Sequence, residues 1–166
     1  MTPAPRLRPT LPADTSHLVN LAAATGVFKP FEVVALQEVL DDYHAANHGY
    51  GHRAVTSIDG AGAATGFAYY APAAMTDRTW ELWWIAVSPP CQGRGVGRHL
   101  LDWVEGDVRA ATGRLLLIET SSTPAYQPTR EFYRKHGYAE AATVADFYAD
   151  GDGKVIFAKR IGPMAA

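Results

Sequence analysis

The sequence predicts one globular domain of the α+β class, on three observations. Segments of helical and strand periodicity alternate along the chain, and a strand–turn–helix–strand unit of βαβ type occupies residues 79–121. Paired β-rich runs joined by glycine turns stand on either side of that unit, at residues 52–74 and 139–161. At 166 residues the chain has one domain's length, with a core expected over about residues 5–161. Hydrophobic residues make up 48% and charged residues 19%, a balance that buries a core and excludes a disordered chain.

The elements follow in order. Arg6 to Leu11 alternates polar and apolar residues as a short strand, which Pro9 confines to a sheet edge or an early position. Asp14 is placed to cap a first helix carrying Leu18, Leu21 and Ala22, and Gly26 ends it. Beyond Pro30 a second helix spaces Phe31, Val34, Leu36, Val39, Leu40 and Tyr43 near a 3.6 period. "HRAVTSID" and "TGFAYYAPAA" form a hairpin about "DGAGAA", and "TWELWWIAVS" is the most strand-like run in the chain. Leu100, Leu101, Val104 and Val108 mark a third helix that ends near Gly113. "RLLLIETS" reads as a strand buried on both faces, "TREFYRKHGY" as a short helix closed by Gly137, and "AEAATVADFYADGDGKVIFAKRI" as two strands about "DGDG". Residues after Ile161 read as a loose tail.

The stretch "SPPCQGRGVGRHLLDWV", Ser88 to Val104, sets three glycines in five residues between a strand and a helix. Glycine tolerates backbone angles that other residues resist and lets a ligand approach the main chain closely. At a helix N-terminus, unpaired N–H groups and the helix dipole favour an anion, and Arg94 and Arg98 add charge on either side. The plainer alternative is a tight turn with glycines for packing alone. No Lys or Ser/Thr follows Gly97 as a P-loop requires, and Arg98 stands where a dinucleotide fingerprint needs its third glycine.

Gln92-Gly93-Arg94-Gly95-Val96-Gly97 resembles the Q/R-x-x-G-x-G/A signature of the GNAT acyltransferase superfamily, and Glu131 to Tyr138 resembles that family's FYxxxGF segment. The resemblance covers most of the chain and is strongest from Trp80 to Ile161. It implies a bent, mixed, mostly antiparallel sheet of six to seven strands with about four helices and splayed fourth and fifth strands. It also implies acetyl-CoA as co-substrate, its pyrophosphate held by residues 92–98 and its pantetheine by the backbone of Ile85, Ala86 and Val87. Phe132 and Tyr133 fall at cofactor-binding positions of the same pattern. Where family members often carry a pantetheine-holding Asn, seven residues before the helical Tyr, this chain has Tyr126.

Acyl transfer to an amine needs the neutral amine, and a lysine-like ammonium is only about 0.04% neutral at pH 7. Glu81 stands where some family members have a catalytic glutamate and is the candidate base, acting directly or through water. It shares strand parity with Trp83, Ile85 and Val87, and Trp83 is expected to wall it with apolar surface. Tyr133 is the candidate acid for the departing thiolate, by protonation or by a hydrogen bond that strengthens as charge develops. Phe28, Phe31, Tyr70, Glu81, Trp83, Asp146 and Tyr148 are candidate acceptor-site residues, each with packing as its alternative.

The remaining motifs point elsewhere. Cys91 has no evident His partner for nucleophilic work, and one cysteine excludes an internal disulfide and a multi-cysteine zinc site. Gly49 and Gly51 interrupt the spacing of His44, His48 and His52, so no metal is expected. A formal charge of −2 argues against nucleic acid or an anionic membrane as partner, and no apolar run has membrane length. The expected protein is a cytoplasmic N-acetyltransferase acting on a small-molecule amine by direct transfer in a ternary complex, with a homodimer in keeping with the family. The alternatives are acetylation of protein N-termini or lysines, and a non-catalytic CoA-binding sensor.

Overall fold

The computed structural model describes residues 5–163, so the last three residues of the expected tail, 164–166, lie outside the described residues. Seven strands form a sheet in the order β1-β2-β3-β4-β5-β7-β6. They are β1 (Arg6–Pro9), β2 (Arg53–Ile58), β3 (Ala64–Pro72), β4 (Thr79–Val87), β5 (Leu115–Ser121), β6 (Ala139–Ala149) and β7 (Asp152–Arg160). The helices are α1 (Thr15–Ala24), α2 (Pro30–Ala45), α3 (Val96–Ala110) and α4 (Gln127–Lys135). The fold is α+β, as expected. The β1–β2, β2–β3, β5–β7 and β6–β7 ladders are antiparallel, and β4–β5 is parallel. That parallel ladder runs from Thr79 opposite Leu115 to Leu82 opposite Ile118. β4 continues past its end to Val87, which is the splay the sequence resemblance implied.

Two compact units are distinguished, one built from the chain up to Ala71 with Trp84–Gly106, the other from Pro72–Trp83 with the chain from Asp107 on. The first unit's core joins Leu18, Leu21, Leu36, Leu40, Phe67, Tyr69 and Ala86. The apolar stripe of α2 is narrower than its sequence suggested: Leu36 and Leu40 are buried, while Phe31 and Val34 are 67% and 61% exposed. These two stand about 140° and 160° round the helix from Leu36, so they cannot share its face. Asp14 also departs from expectation. Its side chain makes no cap bond to α1 and instead accepts the Leu11 N–H at 2.8 Å and both ends of the Arg8 guanidinium at 2.6 and 2.9 Å. A bidentate charged pair outcompetes a single cap bond.

In the second unit, Leu116, Ile118 and Thr120 of β5 are buried, and the alternate positions Leu115, Leu117 and Glu119 are not. β5 is thus covered on one face, not two. Ile118 pairs with Phe157 of β7, and the Tyr133 ring of α4 lies 5.6 Å from that of Phe157, so α4 packs on the face that carries Leu116 and Ile118.

Candidate functional site

The glycine stretch belongs to the first unit. As β4 ends, the Ser88 N–H donates to the Thr65 carbonyl at 2.9 Å, and the Gln92 side-chain amide returns to the Val87 carbonyl at 3.1 Å. Gly93 and Gly95 take φ of 70° and 85°, a region that disfavours any Cβ, and these two conformations turn the chain into α3. The His99 N–H reaches the Gly95 carbonyl at 3.0 Å, the first bond of the helix. The amides of Val96, Gly97 and Arg98 therefore precede the intrahelical ladder. Arg94 is exposed, whereas Arg98 lies 3.6 Å from Asp102, one turn along its own helix. The result is a surface turn whose backbone donors and cation fit a diphosphate.

Beneath the turn lies a residue that the reading of the sequence passed over. A Cβ on Gly66 of β3 would stand 2.9 Å from the Ala86 carbonyl oxygen, 3.0 Å from Leu100 and 3.2 Å from Val96. Gly66 is what lets β3, the end of β4 and the first turn of α3 pack this closely. An isolated glycine inside an apolar strand was the available signal.

The unit's aromatic candidates divide. Phe28 packs on the core with its ring 5.3 Å from that of Trp84, whereas Phe31 is exposed and Tyr70 is buried. The histidines do not converge. His48 Nδ1 lies 2.9 Å from the Tyr43 carbonyl, and His52 Nδ1 lies 2.6 Å from the Tyr69 hydroxyl. Burial pushes Tyr69 up to about 12, so its phenol stays protonated. Desolvation lowers His44 and His52 below the usual histidine value.

In the second unit, the Trp83 indole N–H donates to Glu81 Oε2 at 3.3 Å, which confirms that the two residues share a strand face. Trp83 is 45% exposed, so it meets the carboxylate through its polar edge more than as an apolar wall. On the β6–β7 hairpin, Asp146 has φ of 54°, and its Oδ1 accepts the Gly151 N–H at 2.7 Å, which commits that oxygen to the turn. The exposed Tyr148 lies edge-on to Phe147, 5.0 Å between centroids, and the Lys154 ammonium sits 3.6 Å from the Phe147 centroid.

α4 carries the other candidates. Phe132 lies 5.5 Å from Tyr133 and 4.3 Å from the His136 ring. Tyr133 is 3% exposed, packed among Phe132, Tyr138 and Phe157. Desolvation, and after it the neighbouring Tyr126, raises its phenol well above the usual tyrosine value. Tyr126 stands at the position preceding α4. Three residues before Tyr133, and so on its side of the helix, lies the buried Arg130, which sequence reasoning also missed. Its i,i+3 relation to Tyr133 was the signal.

A family model described as an acetyltransferase (GNAT) domain matches residues 44–140, more than half of the chain. The chain belongs to the GNAT acetyltransferase family. The crystal structure of a GNAT-family protein from Desulfovibrio desulfuricans superposes with a TM-score of 0.91 at 36% identity, covering 96% of this chain and 100% of that one. An aminoglycoside 6'-N-acetyltransferase in complex with coenzyme A gives 0.76 at 17% identity, over 97% and 99% of the two chains, and so shares the fold. The IAA acetyltransferase of Azospirillum brasilense is 38% identical over 65 residues, 39% of this chain and 40% of that protein. Among the described residues, no helix is long and apolar enough to cross a membrane.

Proposed function

We propose that this protein is an acetyl-CoA-dependent N-acetyltransferase whose whole chain serves as one catalytic domain and whose acceptor is a small-molecule primary amine. The observation that carries the reading is the turn at Gly93 and Gly95, with left-handed backbone at both glycines, opening a 15-residue helix over the Gly66 seat. Such a turn offers several amides to a diphosphate at once, and Arg94 and Arg98 supply the countercharge. Ile85, Ala86 and Val87 offer backbone groups to an extended pantetheine arm, and the family pattern makes Tyr126 and Phe132 further cofactor-binding candidates. The cofactor assignment draws support from the coenzyme A bound in the aminoglycoside acetyltransferase, and that protein's small-molecule substrate supports the acceptor class.

The chemistry is direct transfer. The neutral amine nitrogen attacks the thioester carbonyl carbon and surrenders a proton to Glu81, directly or through water. The carbon–sulfur bond breaks, the acetyl group remains on nitrogen, and sulfur departs with the electron pair as a thiolate. Tyr133 steadies that charge. Proton transfer from an unperturbed tyrosine to a thiolate whose conjugate acid titrates near 8.5 is already about 2 kcal/mol uphill. Burial raises Tyr133 further, so its role is a hydrogen bond to the developing thiolate, with protonation completed by solvent. Phe28, Phe31, Tyr70, Trp83, Asp146 and Tyr148 remain the acceptor-site candidates, with Asp146 limited to the carboxylate oxygen that the turn does not use.

The test is release of free CoA by the purified protein from acetyl-CoA across a panel of primary amines. Release that depends on both acetyl-CoA and a particular amine is expected. Binding of acetyl-CoA with no acceptor-dependent release would leave a CoA sensor.

A further inference from the structure

We propose that Arg130 is a positioning residue for Tyr133, locking α4 to the ends of β5 and β7 so that the phenol is held at a fixed height. The proposal rests on the reading of Tyr133 as the thiolate's hydrogen-bond donor. Arg130 is 9% exposed, yet its hydrogen bonds go to backbone carbonyls. One nitrogen, Nη1, donates both to the Ser121 carbonyl at 2.7 Å and to the Thr123 carbonyl at 2.9 Å. Ser121 closes β5, so the guanidinium clamps α4 to the strand end and to the loop that leads back to the helix.

The same serine also binds a carboxylate. Its hydroxyl donates to Asp152 Oδ1 at 2.6 Å, and Asp152, 7% exposed, opens β7. The Ser121 oxygen also accepts the Thr123 N–H at 3.0 Å, and Ser122 exchanges bonds with Gly153: the Ser122 N–H donates to the Gly153 carbonyl at 2.8 Å, and the Gly153 N–H to the Ser122 hydroxyl at 2.7 Å. A buried cation and a buried anion thus meet through one serine, which offsets part of the desolvation each incurs.

α4 needs such a clamp. It has nine residues and no side-chain cap at its start, so its own ladder holds it weakly. Arg130 lies one turn, about 4.5 Å along the axis, before Tyr133. Phe157 of β7 packs against the Tyr133 ring, so clamp and ring are both referenced to β7. A donor misplaced by about 1 Å loses roughly 10²-fold in rate, which makes this register a catalytic quantity.

The test is a double-mutant cycle on folded protein, with kcat and the KM for acetyl-CoA read together. Arg130→Met is expected to lower kcat about 10- to 100-fold with KM for acetyl-CoA within about threefold of wild type. Because a single nitrogen makes both bonds, Arg130→Lys is expected to recover most of the loss. In a Tyr133→Phe background, adding Arg130→Met is expected to cost nothing more. If Arg130→Met does not fold, Arg130→Lys takes its place in the cycle, and its smaller loss is likewise expected to vanish beside Tyr133→Phe. An additive loss, or wild-type kcat in a folded Arg130→Met protein, overturns the proposal while leaving the acid assignment standing. Wild-type kcat in Tyr133→Phe overturns the acid assignment and the proposal with it.

Discussion

The turn at residues 92–98 and the helix α4 work with opposite materials. The turn is exposed and presents main chain: left-handed glycines and helix-end amides, beside the exposed Arg94. α4 presents buried side chains, with Tyr133 in an aromatic shell and Arg130 hydrogen-bonded to backbone carbonyls. Backbone donors at the surface suit the binding of a fixed anion, since they cost little to desolvate and discriminate little. A buried phenol suits chemistry, because a hydrogen bond to developing charge is strongest where water is absent. The difference teaches that binding and turnover should be separable by mutation.

The largest effect is expected at the base. Glu81→Gln should lower kcat/KM about 10²-fold or more. Wild-type kcat/KM in the folded variant would move the base elsewhere. Tyr133→Phe should lower kcat about 10²-fold with the acetyl-CoA KM nearly unchanged, and the raised phenol implies that the wild-type enzyme shows no alkaline loss from Tyr133 up to pH 10. Steady-state kinetics across pH checks both statements.

On the binding side, Gly95→Val forces a β-branched residue to φ of 85° and should weaken CoA binding about tenfold while sparing kcat at saturation. Gly66→Ala drives a Cβ against the Ala86 carbonyl, a backbone atom that no rotamer change relieves. It should cost about 1–3 kcal/mol of stability, measured by denaturant unfolding.

The smallest effect concerns pH and stability. His44 and His52 sit below the ordinary histidine value of 6.5, so the unfolded chain takes up protons before the folded one does. Their contribution is complete above pH 6.5 and declines as pH falls beneath it. Asp14, held below its ordinary 3.8 by Arg8, contributes until the pH drops below that value, so the two losses fall in separate windows. Denaturant midpoints between pH 7.5 and 5 should decline, and a His52→Asn variant should show a shallower decline.

Legibility followed the same division. The turn was readable because its geometry rests on residue types with exceptional backbones, and glycine announces itself in sequence. The order of elements was readable from periodicity, including the parallel β4–β5 pair with its helical crossover. What stayed hidden depended on partners remote in sequence. Nothing in "TREFYRKHGY" says that Arg130 reaches back to Ser121 and Thr123, or that Asp152 at the start of β7 accepts from the Ser121 hydroxyl. Asp14 misled because a charged partner on β1 claimed the side chain a helix cap would have used. Phe31 and Val34 misled because apolar residues near a 3.6 period widen a stripe on paper that the core does not cover.

The most direct test of the account is calorimetric: titration of CoA into the wild type, Gly95→Val and Tyr133→Phe, with kcat measured on the same preparations. The account predicts that Gly95→Val weakens CoA binding about tenfold and that Tyr133→Phe binds CoA as the wild type does but turns over about 10²-fold more slowly. Unchanged CoA affinity in Gly95→Val, together with wild-type turnover in Tyr133→Phe, would contradict it.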